Sequence, residues 1–315
     1  MSKLQQISTQ SKIVADTADV EAIKQHKPTD ATTNPSLVLA YISKPENQTR
    51  IKNAIEKAKA QAGDKNAQLQ YAQDWLATSI GAEITQIIEG RISTEVDARL
   101  SFDTEKTIAQ GLRLIEHYKN HGVSSERVLI KVAATWQGIQ AAAQLEKEGI
   151  HCNLTLVFHA AQAQACGERG ITLISPFVGR ILDWYKANTD VEYTAENDPG
   201  VISVSRIWQL YQQKGFTTEV MAASFRNTGE VEALSGCTCL TISPGLLSEL
   251  SQSQDQPASQ LNRELAPLEA MDTSNQASFT WLMNEDPMAT EKLAEGIRKF
   301  AVDQRKLESL ILASW

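Results

Sequence analysis

The chain has no run of about eighteen apolar residues, so no membrane-spanning helix is expected. Cysteine is scarce. The four present, Cys152, Cys166, Cys237 and Cys239, have no disulfide or zinc spacing, and Cys237-x-Cys239 is too close for a zinc knuckle. They read as reduced, buried thiols of a cytosolic protein. Positive charge is in deficit, with 30 Lys and Arg against 38 Asp and Glu, a net charge of −8. That argues against nucleic acid as a partner, since phosphate backbones are bound by excess cations. It also means that an anionic ligand would need a local cation cluster, because the global field would not draw it in. Neither G-x-G-x-x-G nor G-x-x-x-x-G-K-[ST] occurs, so nucleotide binding has no support. The start, Met1-Ser2-Lys3-Leu4-Gln5-Gln6, lacks the apolar stretch of a signal peptide, and a cytoplasmic location is expected. His117 and His121 stand one helical turn apart with no third ligand, near the end of what reads as a surface helix. No metal site is expected there. His151 and His159 flank a strand without a Ser-His-Asp pattern around them, and the tryptophans are scattered.

What is present is an alternation. Short apolar runs rich in β-branched residues recur at Ile13–Asp16, Asp30–Asn34, Ile92–Asp97, Val128–Thr135, Cys152–Phe158, Leu173–Val178, Glu219–Phe225 and Cys239–Ser243. Runs of this kind are strands covered on both faces. Between them lie helical periods. Asp103 caps one in which Ile108, Leu112 and Ile115 recur before Asn120-His121-Gly122, and Trp136, Ile139, Ala143 and Leu145 form another that Gly149 ends. Stretches near residues 36–90 and 244–300 hold extra helices, and the Ser- and Gln-rich segment Ser251–Ser278 is expected to cover a surface. Strands alternating with helices give a parallel sheet, and eight such pairs favour a closed (β/α)₈ TIM barrel, an α/β fold, over an open sheet. With no linker or composition break, residues 1–315 are expected to form a single domain.

Polar groups inside these strands are the functional signal. Lys131 sits within Val128-Leu129-Ile130-Lys131-Val132-Ala133-Ala134. Burying an ammonium there is costly, and desolvation favours the neutral amine, a nucleophile toward carbonyls. A buried stem with its charged head in solvent would be the ordinary alternative. Other strands add to the pattern. Asp16 ends the first, Thr32 and Asn34 share a face in the second, and Glu95 and Asp97 do so in the third. Asn153 and Thr155 pair in the fifth, Ser175 and Phe177 in the sixth with Arg180 just beyond, and Ser224 and Arg226 at the seventh. In a barrel, the C-terminal strand ends converge on one mouth. An amine, carboxylates, carboxamides and two guanidiniums gathered there suit a phosphorylated polyol bearing a carbonyl.

These segments also resemble the transaldolase signatures. They include Val14-Ala15-Asp16-Thr17, Asp30-Ala31-Thr32-Thr33-Asn34-Pro35-Ser36-Leu37, Gly90-Arg91-Ile92-Ser93-Thr94-Glu95-Val96-Asp97-Ala98-Arg99 and Ile130-Lys131-Val132-Ala133. Cys152-Asn153-Leu154-Thr155-Leu156, Ser175-Pro176-Phe177-Val178-Gly179-Arg180 and Ala223-Ser224-Phe225-Arg226-Asn227 follow in the same order. The resemblance covers nearly the whole chain and is to the long, dimeric, bacterial and eukaryotic type. It implies a cofactor-free, metal-free transfer of dihydroxyacetone between sugar phosphates in the non-oxidative pentose phosphate pathway, by a homodimer. Lys131 would form the Schiff base, Glu95 with Thr155 would shuttle protons through a water, and Asp16 would deprotonate the C4 hydroxyl. Thr32, Asn34, Asn153, Ser175 and Phe177 would contact the sugar, and Arg180, Ser224 and Arg226 its phosphate. Ala134, Ala222 and the pair His159-Ala160 depart from the family's usual residues without touching a catalytic group.

Three other functions compete. A fructose 6-phosphate aldolase would share the lysine but release free dihydroxyacetone; Glu95 and Phe177, together with the chain length, favour the transferase. A phosphosugar isomerase would leave Lys131 unexplained, and a non-catalytic barrel would leave the whole polar set to chance.

Overall fold

The computed structural model describes residues 1–61 and 63–315. Its centre is a closed barrel of eight parallel strands: β1 (Lys12–Asp16), β2 (Asp30–Thr32), β3 (Ile92–Glu95), β4 (Val128–Ala133), β5 (Cys152–Val157), β6 (Leu173–Pro176), β7 (Glu219–Ala222) and β8 (Cys239–Ile242). Each pairs with its sequence neighbour, and β8 returns to β1 with Ile13 opposite Leu240. The eight expected strands are all present, and the barrel closes as expected.

Most strands stop one to three residues earlier than the apolar runs suggested, for a common reason. The residues after them are helix caps rather than strand. Asn34 accepts from the Leu37 amide, Thr135 from Gly138 and Asp97 from Arg99, each starting a helical turn. Asp97 therefore lies beyond the strand end as a cap. It pairs with Arg99 at 2.5 Å.

Inward side chains stack in layers along the barrel axis, because alternate residues of a strand face the same way. At the bottom Arg91 binds Glu219 at 2.8 Å and Lys12 binds the same carboxylate at 3.1 Å, beside Asp30. Above them Val14, Leu129, Leu173, Met221 and Cys239 make a small apolar plug separate from the main core. One step higher come Asp16, Lys131, Ser175 and Thr241, two residues beyond Val14, Leu129, Leu173 and Cys239. The plug seals this polar layer from below.

The main core lies between barrel and helices. The expected helices appear as Thr104–Asn120, capped by Asp103, and Trp136–Lys147, capped by Thr135. His117 is buried rather than exposed, packing edge-on against Tyr71 at 4.7 Å, because that helix face meets the helix Lys65–Thr85. The 253–275 segment runs without helix over the outside, tied down where Gln164 and Glu168 hold Thr273. The C-terminal helix Pro287–Ala313 crosses the barrel mouth, packing on the helix Pro35–Ile42 and on β5. All four cysteines are free and buried. Among the described residues no helix is long and apolar enough to cross a membrane.

Candidate active site

A pocket with about 370 Å³ of empty space opens above the plug. Its walls include Asp16, Thr32, Asn34, Lys131, Thr155, Ser175, Phe177, Arg180 and Ser224, drawn from six strands or the turns just beyond them. Lys131 is 4 % exposed, so its head does not escape to solvent. Its Nζ donates to the Thr33 carbonyl at 3.2 Å and to Thr32 Oγ1 at 3.4 Å. Glu95 Oε2 lies 3.4 Å from the same nitrogen, yet it accepts no hydrogen bond. A buried acceptor without a donor is costly and marks room for a proton or a water. Thr155 Oγ1 and Thr241 Oγ1 are likewise buried and unpartnered.

Electrostatics distinguish the carboxyls. Burial raises the proton affinity of Asp16, against the opposing charges of Lys131 and Arg180. Burial raises that of Glu95 too, with Lys131 again the largest opposing influence. Two acids that hold protons more tightly than usual, beside one amine, are placed to exchange protons with a bound molecule. Arg180 has its affinity lowered by burial and by the neighbouring Arg226. Its guanidinium sits 4.9 Å from the Phe177 ring centre and 5.6 Å from that of Phe300. Phe177 also packs edge-on against Phe158 at 5.5 Å, which fixes the wall between amine and guanidinium.

Three expected residues stand differently. Asn153 is fully buried below the pocket, where its amide donates to Ser93 Oγ at 3.0 Å and accepts from Ser175 Oγ at 2.6 Å. Glu95 forms the partition to a second cavity of about 420 Å³, lined by Asp74, Gln110 and Gln304. Arg226 lies outside the pocket wall and binds Asp183 at 2.6 Å, with its Nη1 3.5 Å from Ser224 Oγ. Four wall residues escaped the sequence reading, Met221, Ala223, Thr241 and Phe300. Thr241 was legible as the lone hydroxyl in the apolar β8 run. Phe300 comes from the C-terminal helix, where nothing in its local pattern signals a pocket.

A family model described as transaldolase/fructose-6-phosphate aldolase matches residues 13–311. A transaldolase of Glaesserella parasuis serovar 5 (strain SH0165) is 55 % identical over 316 residues, covering 100 % of both chains. A transaldolase of Shewanella piezotolerans (strain WP3 / JCM 13877) is 56 % identical over 310 residues, 98 % of each. The chain belongs to the transaldolase family. It is an enzyme of that family, with full-length relatives named as transaldolases, and a third, from Marinomonas sp. (strain MWYL1), is 56 % identical over 313 residues. Sugar phosphates are thus its substrate class. Within the transaldolase barrel the Lys131 amine lies 3.4 Å from the raised Glu95 carboxyl, and the buried Arg180 guanidinium acts on both Glu95 and Asp16.

Proposed function

We propose that the enzyme carries dihydroxyacetone from sedoheptulose 7-phosphate to glyceraldehyde 3-phosphate, giving erythrose 4-phosphate and fructose 6-phosphate, through a Schiff base on Lys131. The observation that carries this reading is Lys131 itself, buried under a polar pocket and 3.4 Å from an unbonded Glu95 oxygen. The neutral amine attacks the ketose carbonyl, and the carbinolamine loses water as Glu95 gives a proton and Thr155 steadies the departing oxygen. Asp16 takes the proton of the C4 hydroxyl. The C3–C4 bond breaks, its electrons flow to the iminium nitrogen, and an aldose leaves while the enamine stays. An acceptor aldehyde then reverses the sequence. A carboxyl with raised proton affinity is the stronger base toward such a hydroxyl once ionised. Thr32, Asn34, Asn153 and Ser175 orient the sugar, Asn153 through Ser175. Arg180, Ser224 and Arg226 hold the phosphate, whose binding far from the reacting carbons supplies orientation.

The reaction fits the non-oxidative pentose phosphate pathway and requires no cofactor, because the iminium is its own electron sink. A single 1–315 domain, a cytoplasmic location and a homodimer belong to the same proposal. The first is supported by the continuous barrel, the second by four reduced thiols, the third by the family resemblance. Fructose 6-phosphate aldolase is the second reading. Against it stands Phe177, 6 % exposed and without a hydroxyl to place water on the enamine.

The test is release of glyceraldehyde 3-phosphate from fructose 6-phosphate, with and without erythrose 4-phosphate. Release that depends on the acceptor, with formation of sedoheptulose 7-phosphate, supports transfer. Equal release without acceptor makes the enzyme an aldolase.

A further inference from the structure

The turn after β7 is held in an unusual way. Ser224 adopts a left-handed backbone conformation with φ +61°, uncommon for a residue with a β-carbon. Its carbonyl accepts from the Gly179 amide at 3.0 Å, where a side chain on Gly179 would collide with both Ser224 O and the Arg226 stem. Three residues later Asn227 caps the helix Thr228–Ala233 by accepting from the Glu230 amide. In an ordinary capping box the acid at the third helical position would reach back to the cap residue's own N–H. Glu230 reaches one residue further. Its Oε2 accepts from the Arg226 amide at 2.6 Å.

A capping glutamate is usually solvated, but Glu230 is 2 % exposed and its Oε1 has no partner. Around it stand the carboxyl of Asp198, which caps the neighbouring helix Pro199–Lys214, and the charges of Arg226 and Asp183. A helix cap alone needs no buried acid among other acids. The bond to Arg226 gives the burial a purpose. The Arg226 guanidinium is bound from the other side by Asp183 at 2.6 Å and 3.1 Å, on the helix that carries Arg180.

We propose that Glu230 is a positioning residue for phosphate: by taking the Arg226 backbone N–H it fixes the Ser224–Arg226 turn, so that the guanidinium is aimed before the sugar phosphate arrives. This rests on the reading of Arg226 as a phosphate contact. Reach, not charge, is what the role requires.

Two conservative variants separate reach from charge. Glu230→Gln keeps the length and an acceptor oxygen. Glu230→Asp keeps the charge and withdraws the acceptor by one methylene. With saturating fructose 6-phosphate as donor, kcat and KM are measured for erythrose 4-phosphate and for unphosphorylated glyceraldehyde as acceptors. Glu230→Asp should raise KM for erythrose 4-phosphate about tenfold, with kcat within about twofold and glyceraldehyde kinetics unchanged. Glu230→Gln should stay within about twofold of the parent on both acceptors. Equal losses on the two acceptors, or Glu230→Gln as impaired as Glu230→Asp, would overturn the proposal. Arg226→Ala is the control. If it fails to raise KM selectively for the phosphorylated acceptor, the reading of Arg226 is wrong. If it does so while Glu230→Asp does not, only the role of Glu230 falls.

Discussion

At the residue scale, a lysine amine and a glutamate lie buried 3.4 Å apart, and the carboxylate oxygen nearest the amine accepts no hydrogen bond. Lys131→Met replaces a buried amine by an apolar side chain of similar length and leaves the buried Glu95 and Asp16 carboxyls without its opposing charge, which costs stability unless they take up protons. The variant should fold with a melting temperature at or below the parent's and turn over at least roughly a thousandfold more slowly. Borohydride with fructose 6-phosphate should add a mass to the parent at Lys131 and none to the variant. Measurable transfer by Lys131→Met would remove the Schiff base from the mechanism. Glu230 carries a prediction about pH. Burial raises its pKa from 4.5 to about 7, with Asp198 and Asp183 adding to the rise and Arg226 opposing it. A carboxyl raised by folding binds more protons in the native than in the unfolded state, so stability falls as pH rises between those two values. The loss approaches a ceiling on the order of 3 kcal/mol above about pH 7. Glu230→Gln has no such titration. Its unfolding free energy relative to the parent should therefore grow from pH 4.5 to about 7 and then level off, as read from urea midpoints. Parallel curves would mean that Glu230 is ionised throughout.

At the element scale, β5 and the C-terminal helix settle each other's course. The β5–β6 register shifts between Leu154 and Val157, and Leu156 between them takes φ +57°. This bulge is stitched by Gln162, which donates to the Leu156 carbonyl at 3.1 Å and accepts from the Phe158 amide at 2.8 Å. The helix Pro287–Ala313 lies against it at Gly296, where an added β-carbon would stand 2.7 Å from Leu156 Cδ2 and 3.3 Å from an Arg180 nitrogen. Leu156 is fully buried and has nowhere to retreat. Gly296→Ala gains up to about 1 kcal/mol of helix propensity but incurs about 1–3 kcal/mol of overpacking. The variant should melt a few degrees lower and show a raised KM for phosphorylated acceptors through a displaced Arg180. A higher melting temperature would mean that the helix is free to lift. Strand identity was legible because each run is apolar on both faces, and the polar layer was legible because it breaks that pattern. Where the strands end was not, since a cap residue such as Asn34 or Thr135 reads like strand until its partner amide is known. Thr241 fits the pattern and was passed over. Phe300 and Glu230 were invisible, because their meaning depends on what a distant backbone brings beside them.

At the scale of the whole molecule, function sits on closure. Lys131 on β4 and Asp16 on β1 meet only because β8 pairs with β1, across the full length of the chain. Closure also brings together the charged groups of Lys12, Arg91 and Glu219, which link β1, the start of β3 and β7 at the partly solvated base. An acidic molecule of net charge −8 thus keeps two further cations, Arg180 and Arg226, at the opposite end, where Arg226 is already balanced by Asp183. A barrel cut anywhere loses two strand pairings and opens its plug, so neither half holds a core of its own. The C-terminal helix adds a strap between the ends, since Arg99 after β3 binds Glu308 and Ser36 after β2 binds Asp303 at 2.5 Å. Chains of this length often unfold through intermediates, and barrel halves are the obvious candidates. The pairing of first and last strands argues against that here. Urea unfolding followed by far-UV circular dichroism and by fluorescence should give one coincident transition, because Trp75 and Trp136 in the first half and Trp184, Trp208 and Trp315 in the second all pack against the same core. Separated midpoints for the two signals would mean that part of the barrel survives without the rest, and that residues 1–315 contain more than one folding unit.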